Sequence, residues 1–114
     1  YASPESVIQN SLISEGCNIE GHIDFSVLFA GVTIEPGAVV RDSIIMPNTT
    51  IKKGAVVEYA IVGEDCVIGE NVKVGARPES IEDKDTWGVA VIGHGVTVSD
   101  NAEIKPKAMI SADV

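Results

Sequence analysis

An all-β solenoid of short coils is the fold class this sequence predicts, on three observations. Ser26-Val27-Leu28, Ser43-Ile44-Ile45 and Ala60-Ile61-Val62 superpose at a fixed offset of 17 residues, as do Ile34, Ile51 and Ile68, and Val40, Val57 and Val74. Inside each copy the aliphatic residues step by 6, 6 and 5, and near the C-terminus Ile92, Val98, Ile104 and Ile110 step by six throughout. Finally, residues that tolerate positive φ recur in fixed phase with these steps: Gly16, Gly31, Asn48 and Asp65 in one set, and Gly37, Gly54, Asn71, Gly95 and Asn101 in another. Gly, Asn and Asp enter the left-handed region at least cost, so these positions read as corners. A period this short is one turn of a solenoid.

The elements follow in order. Ser11-Leu12-Ile13 with Ile19 and Ile23 forms a first copy at the shorter offset of 15, and the 17-residue copies run on to Val74. Each hexad supplies a short strand, a bulky inward residue, a corner and a small inward residue. The small columns are Ala38, Ala55 and Val72, then Val96, Ala102 and Ala108, with Cys17, Val32, Thr49 and Cys66 as companions. Three hexads close a triangular coil. Residues 10–74 give nearly four coils and 89–110 slightly more than one, about five in all. The stretch 77–88 (RPESIEDKDTWG) breaks the phase with acidic and turn residues and reads as an inserted loop. A helix is excluded by the period of six and the dominance of β-branched residues. An antiparallel sandwich has no need of phased corners. A single coil buries too little to order itself, so the coils must stack as one domain over 1–114.

Composition narrows the function classes. The chain is 45% hydrophobic but only 4% aromatic, so its core is aliphatic. Its net charge of −9 lacks the basic footprint that nucleic acid or an anionic membrane surface requires. It has no run of about 18 apolar residues and no secretory signal, which reads as a cytoplasmic protein. A start at Tyr1 rather than Met reads as a piece of a longer protein. Cys17 and Cys66 have no metal-ligand spacing. Three coils apart, at about 4.8 Å per coil, they lie beyond disulfide reach.

The phased hexads resemble the hexapeptide-repeat proteins, and that resemblance implies a left-handed β-helix, an exception to the usual crossover rule. The blocks Ser11-Leu12-Ile13-Ser14-Glu15-Gly16-Cys17, Ser26-Val27-Leu28-Phe29 with Gly31-Val32, and Asp42-Ser43-Ile44-Ile45-Met46-Pro47 are similar to the C-terminal domain of the ADP-glucose pyrophosphorylase (glucose-1-phosphate adenylyltransferase) family. Ala60-Ile61-Val62 and Val67-Ile68-Gly69 continue the match. The resemblance implies a parent enzyme of glycogen synthesis that joins ATP and glucose 1-phosphate with Mg²⁺ in an N-terminal domain absent from this chain. It also implies that this piece packs on that domain, supports a homo- or hetero-tetramer and contributes to allosteric regulation, with no catalytic, cofactor or metal residue of its own. A catalytically weak paralogue would carry the same domain. Where relatives place regulatory lysines or arginines, this chain has Gly63-Glu64, Gly93-His94 and Glu58-Tyr59.

Several residues invite a sharper reading. Leu12, Val27, Ile44 and Ile61 each precede an inward aliphatic, so alternation turns them outward. With Phe29 and Met46 they would form an apolar stripe for the catalytic domain or a neighbouring subunit. Arg41, Lys52 and Lys53, the cations of the middle coils, read either as solubilising charge or as an anion-regulator contact. His22 and His94 sit at or beside corners and read as exposed. The alternative function, a hexapeptide-repeat acyltransferase, would use one of them as general base. Trp87 reads as an anchor pinning the loop to the coils.

Overall fold

The structure is a computed structural model that describes residues 2, 4, 6–80 and 87–114. Among the described residues seventeen short strands form three parallel sheets, each strand pairing with the third strand before and after it in the chain. The first face stacks β1 (Val7–Gln9), β4 (His22–Asp24), β7 (Val39–Arg41), β10 (Val56–Glu58), β13 (Lys73–Val74) and β16 (Glu103–Ile104). The second stacks β2 (Leu12–Ile13), β5 (Val27–Leu28), β8 (Ile44–Ile45), β11 (Ala60–Val62), β14 (Ala90–Ile92) and β17 (Met109–Ile110). The third stacks β3 (Asn18–Ile19), β6 (Thr33–Ile34), β9 (Thr50–Ile51), β12 (Val67–Ile68) and β15 (Thr97–Val98). Two faces of six strands and one of five make about six turns, in line with the stacked coils expected from the hexads. β1 extends the stack by one strand ahead of the first recognisable copy and pairs with β4 in register, Ile8 opposite Ile23.

The core is three vertical files, one per face. Ile19, Ile34, Ile51, Ile68 and Val98 line up on the third face. Ile23, Val40, Val57, Val74 and Ile104 do so on the first, and Leu28, Ile45, Val62 and Ile92 on the second. All fourteen are buried. Parallel strands normally need a long crossover; here the other two faces are the crossover. Of the insertion expected over 77–88, the short 3₁₀ turn Pro78–Ser80 belongs to the described part, and residues 81–86 lie outside it.

All nine predicted corner residues have positive φ. The third corner, between the first and second faces, has a different chemistry. It turns on Asn10, Phe25, Asp42 and Tyr59, each with φ of 46–50°. This is the five-residue step: one left-handed residue follows the strand directly, with a buried Ser26 or Ser43 behind it. These serines form a ladder. Ser26 Oγ donates to Asp24 O at 2.8 Å and accepts from Ser43 N at 3.2 Å. Ser43 Oγ donates to Arg41 O at 2.7 Å and accepts from Ala60 N at 3.2 Å. A tight corner leaves backbone groups without ladder partners, and the hydroxyl supplies both a donor and an acceptor there.

Candidate functional site

The three faces differ in what they show to solvent. On the third face the outward file is Asn18, Thr33, Thr50, Val67 and Thr97; on the first it is Val7, His22, Val39, Val56, Lys73 and Glu103, apolar at three rungs of six. On the second face it is apolar at every rung. Leu12, Val27, Ile44, Ile61, Val91 and Met109 stand opposite one another in unbroken register. Leu12 is 71% exposed, Ile44 36% and Met109 80%, with the other three half-buried. Six rungs at about 4.8 Å make a stripe about 24 Å long. Single exposed aliphatics need no explanation, but a contiguous file on one face of three does.

The four residues read as outward from the sequence therefore lie in one file, and Phe29 and Met46 sit two residues further along their rungs. Phe29 and Met46 line a groove of about 350 Å³ with Pro47, Gly63, Glu64 and His94, next to the stripe. Sequence reasoning missed Val91 and Met109. Their signal was present, since Val91 precedes buried Ile92 as Ile61 precedes Val62, but the insertion resets the phase between them.

The three cations are not brought together. Arg41 closes β7 and donates to Glu58 Oε2 at 3.3 Å, while Arg77 Nε donates to the same oxygen at 3.0 Å. Glu58, 8% exposed, so clamps the start of the insertion to the coils. Lys52 and Lys53 precede the corner at Gly54, at the opposite edge of the first face, about 15 Å from the Arg41 edge by strand rise. Trp87 fastens the other end of the insertion: its Nε1 donates to Ala76 O at 2.7 Å, and its ring meets Tyr59 edge-on at 5.5 Å.

The histidines are exposed, His22 opening β4 and His94 on the groove rim. Neither imidazole makes a hydrogen bond or ion pair among the described residues. A general base ordinarily has an orienting partner. Cys17 and Cys66 are buried and not joined in a disulfide; Cys17 donates to Phe29 O at 3.2 Å and Cys66 to Gly93 O at 2.9 Å. Burial pushes the Cys66 thiol up from its ordinary value. Among the described residues no group of three or more His, Cys, Asp or Glu could hold a metal ion, and no glycine-rich turn opens a helix. No nucleotidyl-transfer step is assigned to these residues.

Comparison with known proteins places this geometry. The family model described as GlmU-like, C-terminal hexapeptide matches residues 2–99. Glucose-1-phosphate adenylyltransferases of Bacillus thuringiensis (strain Al Hakam) and Bacillus anthracis are 46% identical over 95 residues, which is 83% of this chain. The chain spans about a quarter of the length of these curated relatives, 24% of each. Among solved structures, the acetyltransferase domain of PglB from Neisseria gonorrhoeae FA1090 superposes with a TM-score of 0.73 at 21% identity, covering 99% of this chain and 49% of that one. Its complex with acetyl coenzyme A gives the same TM-score at 20% identity, covering 91% and 50%. At these identities the likeness is one of fold.

Proposed function

The chain belongs to the GlmU-like C-terminal hexapeptide family, and from that premise we propose that it is the assembly and regulatory β-helix of a glucose-1-phosphate adenylyltransferase. Its parent makes ADP-glucose from ATP and glucose 1-phosphate with Mg²⁺, in the cytoplasm, on a nucleotide-binding domain outside this chain. The observation that carries the reading is the 46% identity to enzymes of that name across 95 residues. The acyltransferase alternative draws on a likeness of fold and on His94 at the groove rim, and among the described residues no carboxylate pairs with that imidazole.

The role of this piece is docking through the second face. The second face as a whole, about 24 Å tall and about five residues or 15 Å wide with the stripe at its middle, offers on the order of 350 Å² on this side and 700 Å² for both partners. A free-standing dimer of standard size needs about 1,200–2,000 Å². An interface between domains of one chain, already held together covalently, starts near 600 Å². The area therefore favours the parent's own catalytic domain as occupant, with subunit contacts added around it. An anion bound jointly by Arg41, Lys52 and Lys53 finds little support, because Arg41 is engaged by Glu58 and the lysines stand at another corner. Lys52 and Lys53 remain the pair through which this domain would touch a regulatory anion.

Assay of the longer gene product for pyrophosphate release from ATP and glucose 1-phosphate tests the assignment. Turnover that the 114-residue chain alone lacks is the expected result. Acetyl-coenzyme-A-dependent turnover by the chain alone, lost in His94→Ala, would replace the reading.

A further inference from the structure

At the corner between the first and second faces, Phe25, Asp42 and Tyr59 sit on successive rungs. Each donates its backbone N–H to the rung before it: Phe25 to Gln9 O at 3.1 Å, Asp42 to Asp24 O at 3.0 Å, Tyr59 to Arg41 O at 3.1 Å. All three side chains line one cavity of about 570 Å³, together with Asp24, Arg77 and Glu79. The two rings are thus two rungs apart, about 10 Å, with a carboxylate on the rung between them. Three carboxylates face one guanidinium, and that guanidinium already donates its Nε to Glu58. Asp24 also holds an oxygen, Oδ1, that is buried without a hydrogen-bond partner.

The chemistry of this slot is selective. A cation standing on the Asp42 rung would be one rung, about 5 Å of strand spacing, from each ring-bearing residue, a separation compatible with the roughly 6 Å reach of a cation–π contact. A bare metal ion would gain little from aromatic walls, and an anion would meet three like charges. The Tyr59 hydroxyl reports the same field. Its pKa is raised, by burial first and then by Asp42 and Glu79, against the opposing pull of Arg77. Rings are also the costly choice here, because bulky residues at positive φ are outliers where Asn and Asp are tolerated.

We propose that this corner binds an organic cation, a guanidinium or primary ammonium on an alkyl stem, held between Phe25 and Tyr59 over the Asp42 carboxylate. The group would come either from a free small molecule or from a basic side chain of a protein partner. Trp87, the only tryptophan in the chain and in edge contact with Tyr59, is a built-in reporter. Its emission is followed while the protein is titrated, at constant ionic strength, with arginine amide, spermidine and the capped tripeptide acetyl-Gly-Arg-Gly-amide. A saturable change is expected, weakened about tenfold in Asp42→Asn, as for loss of one charge-assisted contact. Phe25→Asn should weaken it several-fold. Both substitutions keep a residue that accepts the left-handed region, so the melting temperature should hold and serves as the folding control. Tripeptide binding as tight as arginine amide identifies a protein side chain as the source; saturation by the free cations alone identifies a small molecule. No saturable change below about 10 mM with any probe, or equal affinity of the wild type and Asp42→Asn, would overturn the proposal.

Discussion

Ile44→Glu separates a docking stripe from ordinary sheet surface. Ile44 is 36% exposed and sits mid-file between Val27 and Ile61. Full burial of an isoleucine is worth about 1.5–3 kcal/mol, so the two-thirds already covered in this chain contributes about 1–2 kcal/mol. The glutamate can turn its carboxylate to water, and the isolated chain should lose no more than that. In the longer protein the remaining third would be covered, and the carboxylate would be desolvated against an apolar partner. Lost burial of about 0.5–1 kcal/mol then adds to a charge penalty of several kcal/mol. A total of at least about 3 kcal/mol weakens docking more than a hundredfold. Thr50→Glu, in the polar file of the third face, is the control and should behave alike in both settings. Calorimetry of the chain and of the longer protein, with sedimentation to read assembly, gives both numbers. Equal destabilisation by Ile44→Glu in the two settings would refute the docking role of this face.

Two further predictions concern the coils themselves. Ser43→Ala removes an Oγ that serves both Arg41 O and Ala60 N in a buried corner, and urea titration should show a loss of about 2 kcal/mol, from two partners left unsatisfied. Stability should also fall above pH 9. The Cys66 thiol is raised from 9.0 by burial, so the unfolded chain ionises first, and the contribution present below pH 9 is lost as pH rises through the folded value. Alkaline unfolding of Cys66→Ala should lack that component, and an unchanged alkaline slope would show that the thiol plays no part.

Legibility followed chemistry. Two corners were readable because Gly, Asn and Asp mark them from coil to coil, the Glu20-Gly21 turn of the first coil, which has no positive φ, being the exception, and the inward files were readable because β-branched residues repeat there. The third corner was not, because Asn10, Phe25, Asp42 and Tyr59 share no residue type, and two of them are rings that propensity assigns to strands. The five-residue step was visible in the aliphatic spacing, yet what turned the chain there was not. The Glu58 clamp was equally hidden. Its partners are 17 and 19 residues away, and only stacking makes the first of them a neighbour.

The insertion after Ala76 explains both what the sequence concealed and why the second face stays continuous. β11 pairs with β14 in full register, Ala60 with Ala90 and Val62 with Ile92, although 30 residues separate these partners where 17 separate those of β8 and β11. The added length leaves the coil between the first and second faces, where Glu58 and Arg77 hold its start and Trp87 against Tyr59 holds its end. Loop closure grows slowly more costly with length, so a tied insertion at a corner disturbs the stack little. An insertion within a face would have split the apolar file instead. Its position at the corner built from rings leaves the face that is apolar at all six rungs unbroken, and the proposed cation slot borders that face, Asp42 standing two residues before Ile44. Asp42→Asn removes no apolar surface and should leave assembly through the stripe unchanged, whereas Ile44→Glu adds a carboxylate about 7 Å along the rung from Asp42 and should tighten cation binding in the Trp87 titration, less so at high salt.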